Sequence, residues 1–126
     1  MKLVNQLLCG VHIAAAGEAL AYARALGLDP AAVHETIRHG AAGSFMLDDR
    51  GRRMVGREFS PVKSALDIFV KDLGLVTSAA AAQRFPATLA STANQLFLMG
   101  AALGYGGDDD SGILRVFEQW TAPPPD

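Results

Sequence analysis

The sequence predicts an all-α domain, a helical bundle opened by a long first helix. Three observations carry this expectation. Apolar residues recur at three- and four-residue steps over long stretches. No segment alternates apolar and polar residues in the period of a half-buried strand. Glycines, prolines and capping residues fall between the periodic stretches and divide them.

The first stretch runs from Lys2 to about Leu26, where Leu3, Val4, Leu7, Val11 and Ala14 form one stripe, and Gly27 supplies a stop. Asp29-Pro30 then offers an N-cap followed by a proline at the first helical position, where its missing N–H costs nothing. That helix should run to about His39 and end at Gly40. Ser44 can cap a third helix from Phe45 to about Val55, ahead of a turn region from Gly56 to Pro61. After Pro61 the positions Val62, Ala65, Leu66, Phe69, Val70, Leu73 and Val76 keep a helical period to about Gln83, and Arg84-Phe85-Pro86 breaks it. A fifth helix follows from about Pro86 to Leu103, ended by Gly104-Tyr105-Gly106-Gly107. Asp108, Asp109, Asp110 and Ser111 can cap a last helix through Trp120, with the acids at its positive end. The domain is thus expected over residues 1–120, with 121–126 as a mobile proline-rich tail.

Composition narrows the classes of function. At 126 residues and 50% hydrophobic, the chain suits one domain with an ample core. Eleven Lys plus Arg against 13 Asp plus Glu give a net charge of −2, so no basic excess exists to attract a phosphate backbone, and nucleic acid is not expected as a partner. The single cysteine, Cys9, excludes an internal disulfide and a cysteine-rich metal site, in keeping with a reducing cytoplasm. No basic leader with an apolar core and cleavage site is visible, and Glu18, Arg24 and Gln95 interrupt the longest apolar runs. A cytoplasmic protein with no membrane partner is the expectation.

Few residues present chemistry. On a helix Lys2, Asn5 and Gln6 share one sector, while Leu3, Val4, Leu7 and Val11 take the opposite side. By itself this is a solvated helix start, although a lysine there opposes the helix dipole. Lys71 lies four residues after Asp67, the spacing of a common surface bridge, with Phe69 and Asp72 beside it and Phe69 equally suited to the core. His12, His34 and His39 fall on different elements or faces, without a carboxylate or cysteine at ligand spacing, so no metal site is expected. Ser44 and Ser111 resemble caps more than nucleophiles. Arg50, Arg52, Arg53 and Arg57 read as a solvated helix face, and Glu18, near the apolar side of the first helix, as a buried hydrogen-bonding group.

Lys2-Leu3-Val4-Asn5-Gln6, followed much later by Lys71-Asp72-Leu73-Gly74-Leu75, resembles the catalytic and cofactor-contacting segments of the β-hydroxyacid dehydrogenases, the 3-hydroxyisobutyrate dehydrogenase family. The resemblance covers nearly the whole chain, but only the C-terminal half of such an enzyme. Gly10-Val11-His12-Ile13-Ala14, the stretch from Ser64 to Leu75, and Gly104-Tyr105-Gly106 look closest to the L-threonate dehydrogenase branch. It implies that Lys2 is the acid–base residue and that Gln6, in place of the usual asparagine, holds the substrate with Asn5 beside it. Lys71 would reach a nicotinamide cofactor, NAD or alternatively NADP. The implied substrate is a small 2- or 3-hydroxy acid, for instance a four-carbon sugar acid such as L-threonate, and the implied assembly a homo-oligomer.

No Gly-x-Gly-x-x-Gly follows a strand, and Gly104-Tyr105-Gly106-Gly107 follows a helix instead. We therefore expect the N-terminal nucleotide-binding domain, which would hold most of the cofactor, to be absent from this chain, and the chain alone to be inactive. A helical dimerisation or interaction module that keeps the fold without catalysis is the competing reading.

Overall fold

In a computed structural model, which describes residues 1–123, the first helix α1 (Lys2–Ala25) is the element around which the others pack. The remaining helices are α2 (Pro30–Ile37), α3 (Phe45–Gly56), α4 (Leu66–Ala82), α5 (Thr88–Ala102) and the short α6 (Leu114–Phe117). Among the described residues the only β pairing is an isolated backbone bridge between Ala65 and Asp109, so the all-α expectation holds.

The first helix can serve five neighbours because its buried face is small: Gly10, Ala14, Ala16, Gly17, Ala21 and Ala23 let backbones approach, with Ile13 and Leu20 as the larger buried side chains. By length and composition alone α1 is apolar enough to cross a membrane, yet here it supplies a shared packing surface to α2, α3, α4, α5 and α6. Its end is a Schellman turn. Gly27 sits at φ +78°, the Leu28 N–H donates to the Ala23 carbonyl at 2.9 Å, and the Gly27 N–H donates to that of Arg24 at 2.9 Å.

The local caps read from the sequence are in place. Asp29 accepts from the Ala31 N–H at 3.1 Å ahead of Pro30, and Ser44 accepts from the Leu47 N–H at 2.9 Å. Phe69 is a core residue, its ring stacked on Phe97 with centroids 5.3 Å apart.

Several expectations need correction. First, α4 begins at Leu66, not directly after Pro61, because the preceding loop spends its backbone on Asp109: the Lys63 and Ser64 N–H groups donate to Asp109 Oδ1 at 2.9 and 3.4 Å. Similarly, α5 begins at Thr88, whose N–H turns back to the Pro86 carbonyl at 2.8 Å. Second, the last segment is not one helix. It is a 3₁₀ turn (Asp110–Ile113), α6, and a second 3₁₀ turn (Glu118–Trp120). Asp109 caps as expected, accepting from the Ser111 N–H at 3.1 Å, but the Ser111 hydroxyl is no cap and donates to Asp109 Oδ2 at 2.6 Å.

The third correction concerns the arginines, which do not form a solvated face. Arg53 pairs with Asp109 at 3.0 Å and Arg50 with Asp110 at 2.9 Å, both aspartates being fully buried. Arg57 meets Glu118 at 2.8 Å, and Arg24 of α1 meets the same carboxylate at 2.9 Å. Within the run only Arg52 is mostly exposed. Positions 50, 53 and 57 lie at three- and four-residue steps, so they form one stripe, and that stripe faces the acidic segment that follows α5. Burial obliges these charges to pair.

Glu18 is also corrected: it is exposed, and no hydrogen bond holds its side chain among the described residues. Of the expected mobile tail 121–126, Thr121 to Pro123 are described, with Thr121 half-buried, and residues 124–126 lie outside the described residues.

Candidate functional site

Helices α1 and α4 meet where a glycine removes a side chain. A Cβ on Gly10 would stand 2.9 Å from both Cδ atoms of Leu73, so the Leu73 side chain packs into the space that a side chain at position 10 would take. One turn toward the start of α1 is Gln6, and next to Leu73 on α4 is Asp72. The close approach therefore brings these two side chains together. Gln6 Nε2 donates to Asp72 Oδ2 at 2.7 Å, and Asp72 is 8% exposed.

The contact extends on both sides. On α1, Asn5 Nδ2 donates to Gln6 Oε1 at 3.0 Å and to Cys9 Sγ at 3.5 Å. On α4, Lys71 Nζ lies 3.6 Å from the other carboxylate oxygen of Asp72, with 71% of the Lys71 side chain exposed. The bridge from Lys71 to Asp67 suggested by spacing is not formed; the Asp67 carboxylate lies against Gly106 instead. Lys2, one turn before Gln6 on the same sector, is exposed, and no side-chain bond ties it among the described residues.

The fold thus joins Gln6 to Asp72 directly, sets Asn5 and Lys71 on either side of that bond, and leaves the two ammonium groups projecting outward. Phe69, weighed from sequence as a neighbour of Lys71, belongs to the core and not to this cluster. Asp72 is the residue that sequence reasoning underrated. Its signal was present: position 72 lies three residues after Phe69 and four before Val76, on the buried stripe of α4, and an acid on such a stripe needs a partner.

The exposed ends of the cluster, Lys2, Asn5 and Lys71, lie on the open surface, with Gln6 half-buried and Asp72 buried beneath them. A mostly apolar groove of about 490 Å³ runs along the opposite side of the start of α1, lined by Leu3, Val4, Leu7, Val76, Gln83 and Phe85 among others. Among the described residues no three His, Cys, Asp or Glu side chains converge as metal ligands. His34 is buried and bonded to the Leu47 carbonyl at 2.8 Å, while His39 stands 3.4 Å from Glu35 on the surface.

What such a surface offers is a proton donor or acceptor in Lys2, oriented amides in Asn5 and Gln6, and in Lys71 an exposed cation paired with Asp72. Comparison with known proteins gives this geometry a context. Residues 1–117 match the family described as the NAD-binding domain of NADP-dependent 3-hydroxyisobutyrate dehydrogenase. L-threonate dehydrogenase of Cupriavidus necator is 44% identical over 117 residues, covering 93% of this chain and 39% of that protein. The 2-(hydroxymethyl)glutarate dehydrogenase of Eubacterium barkeri is 31% identical over 96% of this chain and 40% of its own length. A crystal structure of 3-hydroxyisobutyrate dehydrogenase from Salmonella typhimurium aligns with a TM-score of 0.89 at 44% identity, over 91% of this chain and 40% of that one. The chain spans about two fifths of the length of these relatives.

Proposed function

The chain belongs to the 3-hydroxyisobutyrate dehydrogenase family, and from that membership we propose that it is the C-terminal, catalytic and substrate-holding part of a nicotinamide-dependent dehydrogenase of a small 2- or 3-hydroxy acid. The observation that carries the reading is the Gln6–Asp72 bond at 2.7 Å, which links the helix start bearing Lys2 to the helix bearing Lys71. It holds side by side the two helices whose residues we read as substrate-side and cofactor-side.

In this reading Lys2 handles the proton. As a neutral amine it takes the proton from the substrate hydroxyl, and as an ammonium it returns one to the carbonyl oxygen in the reverse direction. Asn5 and Gln6 hold the substrate beside it, and Lys71, with its amino group exposed, contacts the cofactor. The cofactor, when bound, supplies the hydride acceptor. We take it to be NAD, with NADP the other candidate, since the family description names both. Lys71 supplies a single contact, so most of the cofactor's binding falls to an N-terminal nucleotide-binding domain, and the chain alone is inactive. The relatives named L-threonate dehydrogenase support a four-carbon sugar acid as substrate.

An assembly module without chemistry is the second reading, favoured by exposed Tyr22, Phe85, Leu89 and Trp120. Such a module has no use for Lys2, Gln6 and Lys71 together. The test is Lys2→Ala in a protein that joins this chain to its nucleotide-binding domain. Turnover of the hydroxy acid should fall by a factor on the order of 10² to 10⁴, with NAD affinity and helix content unchanged. Near-normal turnover would return Lys2 to an ordinary surface lysine.

A further inference from the structure

We propose that the exposed flank of α1 is the seam of a two-fold dimer, on which the α1 of a second copy lies antiparallel, with Ala15 against Ala15 of the partner subunit. The spacing along the helix marks the seam. Val4, Leu8, Val11, Ala15, Glu18 and Tyr22 follow one another at alternating steps of four and three, the repeat that keeps one stripe of a helix turned toward another helix. All of them are exposed except the half-buried Val11, so no other described element covers the stripe.

The stripe is the common floor of two mostly apolar grooves that share Ala15 and Glu18. One, of about 150 Å³, is closed by Leu89 and Leu96 of α5, and the other, of about 560 Å³, by Phe117 and Trp120. Bulk sits at both ends of the stripe, in Val4 and Leu8 and in Tyr22 and Leu26. Between them Ala15 and Ala19 are small, which lets two helix axes approach to about 8 Å.

Area and charge identify the occupant. The chain exposes 7128 Å² at a mass of 13.2 kDa, whereas a self-contained protein of that mass exposes about 6,400 Å². The excess, roughly 700 Å², is close to the roughly 800 Å² that each partner buries in a stable interface. A two-fold axis at Ala15 sets Leu8 level with the partner's Tyr22, Val4 with the partner's Leu26 and Val11 with the partner's Ala19. A parallel pair would instead stack Glu18, the one charged residue of the stripe, on the partner's Glu18 between apolar walls. Turned antiparallel, the two carboxylates separate by about 9 Å along the seam. Each then lies diagonally across from the partner's His12, a ring able to donate a hydrogen bond. The nucleotide-binding domain is the other candidate occupant. Lys2 and Gln6, however, lie on the opposite side of α1 within its first two turns, while the stripe runs on from Val4 for about 33 Å to Leu26.

The test uses the intact protein containing this chain, with Cys9 and any other cysteine replaced by serine. Under mild oxidation Ala15→Cys should give a disulfide-linked pair of subunits, because Cα atoms beside the axis fall within the bonding range of about 4.4–6.8 Å. Leu8→Cys and Tyr22→Cys should each stay uncross-linked alone, their own copies standing about 21 Å apart, yet join each other when produced together. Ala15→Arg should halve the mass read by sedimentation and leave the helix content unchanged.

A self-linked Tyr22→Cys overturns the antiparallel register. An Ala15→Cys thiol open to labelling reagents in the assembled protein overturns the interface itself. So does an Ala15→Cys thiol shielded within a monomer, which gives this face to the nucleotide-binding domain.

Discussion

Asp109 and Asp110 are adjacent in sequence and fully buried, yet their carboxyl groups shift in opposite directions. Burial pushes Asp109 upward, but the Ser111 hydroxyl and the N–H groups of Lys63, Ser111 and Ser64 outweigh it and hold the group below the usual aspartate range. For Asp110 burial wins over the hydrogen bond and charge of Arg50, and the group titrates above that range. Arg50 itself is held firmly protonated: burial opposes its charge, but Asp110 and Asp49 more than offset this.

The signs give a testable pH dependence. A depressed folded value means that the stability contributed by Asp109 is complete above its unfolded value and is lost as pH falls through the folded one. Asp110 acts oppositely, favouring the folded state most when protonated and losing that contribution as pH rises through its raised value. Asp109→Asn leaves Arg53 buried without its counter-charge and should cost about 3–5 kcal/mol at neutral pH. Its unfolding free energy should then be flatter than that of the wild type below the usual aspartate range. Denaturant titrations at several pH values would measure both, and a wild-type acid slope persisting in the variant would show that Asp109 is not its source. Lys71→Ala calls for different reasoning, because an exposed cation contributes binding more than chemistry. In the intact dehydrogenase it should raise the KM for NAD more than it lowers turnover; a loss confined to kcat would move Lys71 to the reacting centre.

At the scale of elements, what the sequence reveals follows the range of the forces. The boundaries around α1, α2 and α3 were legible because Gly27, Asp29 and Ser44 act on backbone groups within a few residues. The start of α4 was not, because Asp109, remote in sequence, holds the loop before it. The same distance hid the arginine pairs: their stripe was visible, but the acids it faces lie on another element. Of the candidate site, Lys2, Asn5, Gln6 and Lys71 came from a resemblance between two short segments, whereas the bond joining those segments needed the packed helices. Gly10→Ala tests that packing. Its Cβ would press on two Leu73 methyl carbons at 2.9 Å, costing about 1–3 kcal/mol and parting Gln6 from Asp72. Thermal melts together with the Gln6 amide resonance would report both effects, and an unshifted resonance would mean that α4 yields without moving Asp72.

For the whole molecule, the exposed apolar side chains are the informative feature. Val4, Leu8, Tyr22, Phe85, Leu89 and Trp120 stand out from the bundle on several sides. Surface of this kind on a domain of this size tends to be covered by more protein. We predict that the isolated chain self-associates at micromolar concentration, to be read by sedimentation velocity; a single monomeric species across that range would contradict it. We also predict no measurable NAD binding by the isolated chain, since a dinucleotide pyrophosphate is held by a glycine-rich turn at a helix N-terminus and Lys71 offers one contact. Calorimetry detecting micromolar affinity would overturn the division of labour between two domains.

The seam at Gly10 and Leu73 bears on motion as well as on position. Two helices pressed backbone to side chain, with a part-buried bond one turn away, cannot hinge against each other without opening a void or breaking that bond. The lysine at the start of one and the lysine on the other therefore travel as a single rigid body. On the proposed assignment of Lys2 to the proton and Lys71 to the cofactor, substrate entry and product release fall to displacement of this helical unit relative to whatever stands opposite it, with the register between the two helices unchanged.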